Sequence, residues 1–83
     1  MGMLKIKVVD AAGVPFANQT VKVTSAGALQ TSAEGMVQFL VESNATLDIE
    51  INGASVWSGN SAELARDEVF KADGPSFARV KTG

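Results

Sequence analysis

Eighty-three residues, 46% of them apolar, make one small domain able to bury a single core. Cysteine, histidine and tyrosine are all absent, which excludes disulfides, thiolate metal sites, thiol nucleophiles and catalysis of the Ser-His-Asp kind. The formal net charge of −2 lacks the basic footprint that phosphate binding requires, and no apolar run approaches the roughly 20 residues that span a bilayer; neither a nucleic-acid nor a membrane partner is expected.

Near the start, Leu4, Ile6 and Val8 alternate with Lys5 and Lys7, the period-two pattern of a half-buried strand. The two lysines interrupt any continuous apolar stretch, so no signal peptide is expected here. Synthesis in the cytoplasm follows, with assembly into a virion or an extracellular appendage left open. Residues 10–18 carry Asp10, Gly13, Pro15 and Asn18, each suited to turns, and the chain should reverse there. Val21 and Val23, alternating with Thr20, Lys22 and Thr24, predict a second strand.

After the small residues 25–28, a short third strand is expected over 29–31. Ser32-Ala33-Glu34-Gly35 then forms a tight turn with Gly35 at positive φ. Residues 36–42 return as a fourth strand, with Val37, Phe39 and Val41 facing the core and Met36, Gln38 and Leu40 facing outward. A turn over 43–45 leads to the clearest strand, in which Leu47, Ile49 and Ile51 alternate with Asp48 and Glu50. Asn52-Gly53 follows directly and predicts a type I′ hairpin turn, with residues 54–58 as the antiparallel partner.

Asn60 with Glu63 three residues on has the form of a capping box, and Ala62, Ala65 and Val69 stand near helical spacing, so a short helical turn is expected over 61–67. A strand over 68–72, a turn at Asp73-Gly74-Pro75 and a last strand over 76–81 complete the chain. Short strands with turn signals between them predict an all-β fold: one small antiparallel β-sandwich of about seven strands. Residues 1–83 form a single domain, with core strands and hairpins over 1–59 and an irregular segment plus a terminal strand over 60–83.

The runs Val9-Asp10-Ala11-Ala12-Gly13-Val14-Pro15-Phe16-Ala17-Asn18, Val21-Lys22-Val23 and Thr31-Ser32-Ala33-Glu34-Gly35-Met36-Val37 resemble the pattern of carboxypeptidase regulatory-like domains. That resemblance implies a transthyretin-like, prealbumin-type sandwich. Bacterial immunoglobulin-like adhesin domains share much of the pattern, so an immunoglobulin-like architecture is implied as well. The resemblance covers the first half to two thirds of the chain and does not extend beyond Asn60. It bears on architecture more than on function, because such domains recur as accessory modules in enzymes, adhesins, secretion machinery and phage particles. Transthyretin-like hydrolases of 5-hydroxyisourate use His and Arg with a C-terminal Tyr-Arg-Gly-Ser run; this chain ends Val80-Lys81-Thr82-Gly83 and that activity is not expected.

Asp48 and Glu50 share a strand face and are the nearest approach to an acid–base pair or a hard-metal site, although a solvated outer face explains them better. Asp10 and Glu34 are calcium candidates on the same terms, with a local turn role favoured. Asn18-Gln19-Thr20 and Asn44-Ala45-Thr46 fit the glycosylation acceptor, yet both asparagines are accounted for as turn residues. No catalytic, cofactor-binding or metal-binding residue is therefore expected, and no cofactor. What remains is surface: Trp57, Phe70 and Phe77, with Met36, Leu40 and Arg79, belong to types enriched at interfaces, against the alternative that the aromatics fill the core. The expected function is that of a non-enzymatic structural or interaction protein. It would dock on partner chains, or on copies of itself, within a larger assembly such as a phage virion, as a decoration or tail component, or a secretion apparatus. The alternative is an adhesin-like or carbohydrate-binding accessory module of an exported protein.

Overall fold

The computed structural model describes residues 2–24, 26–42, 44–64, 67–74 and 76–80. The alternating runs become strands β1 (Gly2–Val9), β2 (Thr20–Val23), β3 (Gly27–Gln30), β4 (Met36–Val41), β5 (Thr46–Ile51), β6 (Ala54–Asn60), β7 (Asp67–Asp73) and β8 (Ser76–Val80). Two four-stranded sheets result, ordered β4-β1-β7-β8 and β3-β2-β5-β6. Their inner faces meet in one core: Leu4, Ile6, Val8, Val37, Phe39 and Phe70 from the first, Val21, Val23, Leu47, Ile49 and Ile51 from the second. The all-β sandwich is as expected from the alternation, with eight strands instead of about seven.

Two features depart from the expected pattern. The strand pairs are not all antiparallel, because β7 lies parallel to β1 with Phe70 beside Val8. The chain leaves β6 in one sheet and enters β7 in the other, and that crossover reverses the usual hairpin direction. The strand order is also not the immunoglobulin constant-type one, in which the first strand lies beside the second. Residues 60–83, expected to hold an irregular segment, instead supply an interior strand: β7 sits between β1 and β8, and Phe70 is 0% exposed. Burial of that ring against β1 is the physical reason the segment is ordered as strand.

The local signals translate closely. Asn52 and Gly53 have φ of 53° and 86°, the positive pair a type I′ turn requires. Asn18 and Asn44 each sit at φ 61°, conformations that asparagine tolerates better than most residues. The capping box forms as well: Ala62 N donates to Asn60 Oδ1 at 2.8 Å and Asn60 N to Glu63 Oε2 at 3.2 Å. The helix it caps is a single 3₁₀ turn, Ser61–Glu63, ended by extended Leu64, whose side chain packs on the core. The expected helix was longer; one apolar side chain drawn inward outweighs the weak propensity of so short a stretch. Ser25, Ser43, Ala65, Pro75 and Lys81, which also entered the expected elements, lie outside the described residues.

The corner between β1 and β2 is held by the turn before β4. Asp10 Oδ1 accepts from Ala12 N and Val14 N, both at 2.9 Å. Thr31, buried at 3% exposure, donates from Oγ1 to Phe16 O at 2.6 Å and accepts from Gln19 N at 2.9 Å. Gly35 has φ 73°, and a Cβ there would stand 2.5 Å from Val8 O and 2.9 Å from Phe16 N. The residues that carry the family resemblance are thus one structural clamp.

Candidate functional site

The two long sides of the sandwich differ in chemistry. On one, β6 and β8 approach each other and the gap between the sheets is filled. A bulge in the β5–β6 pairing sets Ile49 opposite Trp57 and Glu50 opposite Ser55, leaving Val56 unpaired. The extra residue turns both Val56 and Trp57 toward the core, where each is half-buried. Gly59 makes room for the indole: a Cβ there would lie 3.0 Å from the Trp57 ring. Phe77 packs on the same core and meets Phe16 at a centroid distance of 6.3 Å.

The same side contains the ion pair. Arg79 donates from Nε to Glu68 Oε1 at 2.7 Å and from Nη2 to Glu68 Oε2 at 3.0 Å, a bidentate fork. Glu68 is only 4% exposed, whereas the Arg79 side chain keeps 29% of its surface in water. Hydrogen bonding to Glu68 holds the Arg79 guanidinium above its usual pKa; partial burial opposes this, and the charges of Glu68 and Glu63 add to it. Arg79 is cationic at every working pH. The pair closes the rim of the core with both charged ends satisfied, and among the described residues every buried side-chain nitrogen and oxygen has a hydrogen-bond partner.

On the opposite side the sheets end in β3 and β4, and there the surface is open and carries exposed apolar side chains. A groove runs between them, lined by Met3, Leu29, Gln38, Phe39, Leu40 and small residues of 26–28, none of them charged. Met3, Leu29 and Leu40 are 46%, 49% and 61% exposed. Among the described residues the exposed large hydrophobics are these three and Val14. Met3 pairs with Leu40 on the outer face of the first sheet. Leu29 pairs with the buried Val21, so it points along the inner face of the second sheet but beyond its covered part.

The six residues expected at an interface are therefore not brought together. Phe70 is a correction: a fully buried ring presents nothing to a partner, and its place opposite Val8 assigns it to the core. Trp57, Phe77 and Arg79 gather on the closed side, where each packs or pairs within the chain. Met36 and Leu40 lie on β4 at the far edge of the same sheet as β8, with Met36 half-buried and Leu40 exposed. Met3 and Leu29 were missed. Met3 carries a readable signal, since it alternates with Leu4 and must face outward; Leu29 carries none, because its exposure depends on where the opposing sheet stops.

The carboxylates offer no centre. Asp48 is exposed on the outer face of β5. Asp10 is engaged by its own turn, and Glu34 Oε2 accepts from Ser32 Oγ at 3.0 Å. No group of three or more acidic side chains able to hold a metal ion occurs among the described residues. No protein-family model matches the chain, and no curated protein matches it in sequence.

Proposed function

We propose that this chain is a non-enzymatic interaction protein, a compact β-sandwich that docks on partner chains within a larger assembly of the class of a phage particle or secretion apparatus. One observation carries the reading: three of the exposed large hydrophobics, Met3, Leu29 and Leu40, line a single uncharged groove between two strand edges. Scattered exposed apolar residues need no explanation, but a contiguous patch does. The resemblance to carboxypeptidase regulatory-like domains supports the same reading, since such domains serve as accessory modules. The carbohydrate-binding alternative draws on the same resemblance and would use Trp57 as its contact, but that ring packs on the core and over Gly59, so it has less to stand on.

The test is co-sedimentation of the purified chain with the assembly encoded beside it. The chain should pellet at a fixed stoichiometry, and Leu29→Lys and Leu40→Lys should each abolish this while leaving the melting temperature unchanged. A chain that stays in the supernatant, or that pellets equally well as both variants, would count against the reading.

A further inference from the structure

An asparagine followed by glycine is prone to react with its own main chain, because glycine neither shields its amide nitrogen nor restricts the approach to it. Of the chain's four asparagines only Asn52 has glycine next; Asn18, Asn44 and Asn60 precede Gln19, Ala45 and Ser61. Asn52 and Gly53 are both exposed at the tip of the β5–β6 hairpin, with φ of 53° and 86°.

The Asn52 side chain is held at that tip. Its Oδ1 accepts from Thr20 N at 3.0 Å and its Nδ2 donates to Gln19 Oε1 at 2.7 Å, while Asn52 N donates to Thr20 O at 2.8 Å. Because Thr20 N only donates, the orientation of the carboxamide is fixed. Gln19 is itself tied in, donating from Nε2 to Ala17 O at 3.0 Å and from N to Thr31 Oγ1 at 2.9 Å. A seam therefore joins the hairpin tip to the start of β2 and, through Gln19, to the Thr31 clamp.

We propose that Asn52 is a site of spontaneous covalent modification, converted to aspartate or isoaspartate through attack by Gly53 N, and that the seam with Gln19 and Thr20 restrains this reaction in the folded chain. Water is the only co-reactant. Solvent base takes the proton from Gly53 N, the nitrogen bonds to Asn52 Cγ, and the Cγ–Nδ2 bond breaks; the proton returns to the leaving nitrogen, which departs as ammonia and leaves a cyclic imide. Water then opens the imide at either carbonyl. Opening at Cγ gives aspartate, and opening at the main-chain carbon gives isoaspartate, with the chain rerouted through Cγ. The docking reading plays no part in this.

Two features of the fold oppose the reaction. Ring closure needs Gly53 N and Asn52 Cβ on the same side of the Cα–C bond, whereas a left-handed residue, with ψ near about +47°, sets them nearly opposite. Loss of Nδ2 must also break its bond to Gln19 Oε1. Both obstacles vanish on unfolding. The products do not restore the seam: an ionised aspartate has no donor for Gln19 Oε1, and turning the Gln19 amide to offer Nε2 sets Oε1 against Ala17 O. Isoaspartate adds a backbone atom to a two-residue turn closed by Ile51 and Ala54. Conversion is one-way and loosens the hairpin.

Incubating the full chain in mildly alkaline buffer, with ion-exchange chromatography to count the added charge and tandem mass spectrometry to place it, tests the proposal. Folded wild type should convert at Asn52 at least about tenfold more slowly than the same chain unfolded in guanidinium. Gln19→Ala removes the acceptor for Nδ2 and should raise the folded-state rate about two- to tenfold. Gln19→Glu also lacks the donor to Ala17 O but keeps an acceptor for Nδ2, and should stay near wild type. Circular dichroism confirms that each variant is folded, and Gln19→Leu, which keeps the bulk, replaces Gln19→Ala if that variant is not. Equal rates in the folded and unfolded wild type, equal rates in the two Gln19 variants, or an unfolded chain that converts no faster at Asn52 than at Asn18, Asn44 and Asn60 would overturn it.

Discussion

Gly35 and Gly13 both have positive φ, 73° and 86°, yet they carry different burdens. At Gly13 nothing lies within 4 Å of where an added methyl would stand, while at Gly35 two backbone atoms and Pro15 Cα crowd it. Gly13→Ala should therefore cost only the conformational strain, about 1 to 2 kcal/mol. Gly35→Ala adds a collision with main chain that cannot yield without moving β1, and should cost about 3 kcal/mol or more. Urea denaturation of the two variants checks the ranking; equal losses would mean that the clamp around Val8 and Phe16 is looser than the contacts indicate. Thr31 belongs to the same clamp. Thr31→Val keeps the shape but leaves Phe16 O and Gln19 N without their side-chain partner, for an expected loss of about 2 to 3 kcal/mol by the same measurement.

At the scale of elements, the informative strand is β7, where a buried carboxylate stands two residues from a buried ring on one face. Arg79 on β8 reaches it from the neighbouring position, since Arg79 pairs directly with Phe70. Removing the cation takes the bidentate fork from a carboxylate that is only 4% exposed. Arg79→Met should cost about 2 to 4 kcal/mol, below the full loss for a wholly buried pair because water reaches the guanidinium. Replacing both ends, Glu68→Leu with Arg79→Met, should recover part of that loss, since an apolar pair avoids the desolvation of either charge. A double-mutant cycle in urea distinguishes this from independent effects, for which the double variant would be the least stable of the set.

The same elements mark the limit of what the sequence discloses. Turns written in one or two residues were legible: Asn52-Gly53, the Gly35 turn and the Asn60–Glu63 box all form as their chemistry demands. Those signals are local, and so is their cause. The place of β7 is not local, because its parallel partner β1 lies about 60 residues earlier in the chain and no hairpin announces the pairing. Glu68 reads as a surface residue until Arg79 is seen to satisfy it. Adjacent Val56 and Trp57 break the alternation without saying which faces inward, and the bulge settles that both do. The exposed apolar patch was half legible: Met36, Gln38 and Leu40 alternate with the inward residues of β4 as expected, whereas the open groove beside them arises only where two sheets fail to close.

For the molecule as a whole, the order β4-β1-β7-β8 means that the first sheet cannot be completed until nearly all of the chain has been made. Pairing β1 with β7 closes a long loop before any contact repays its entropy, so folding should be slow for a domain of this size, in the millisecond-to-second range typical of β-sandwiches. Stopped-flow refolding followed by Trp57 fluorescence checks that expectation. A sharper consequence concerns the tail. If residues beyond Asn60 were an appendage, a fragment of residues 1–60 would keep its two sheets. In the structure that deletion removes half of the first sheet and strips Phe70 from Val8, freeing the edge of β1 from Lys5 to Val9 and opening the core beside it. The fragment should therefore be unfolded by circular dichroism and show collapsed amide dispersion by NMR, even though it retains the β1–β2 clamp, the Gly35 turn and the Asn52-Gly53 hairpin. A folded fragment would mean that β4, β1 and the second sheet suffice, and that β7 and β8 are docked on a finished core instead of completing it.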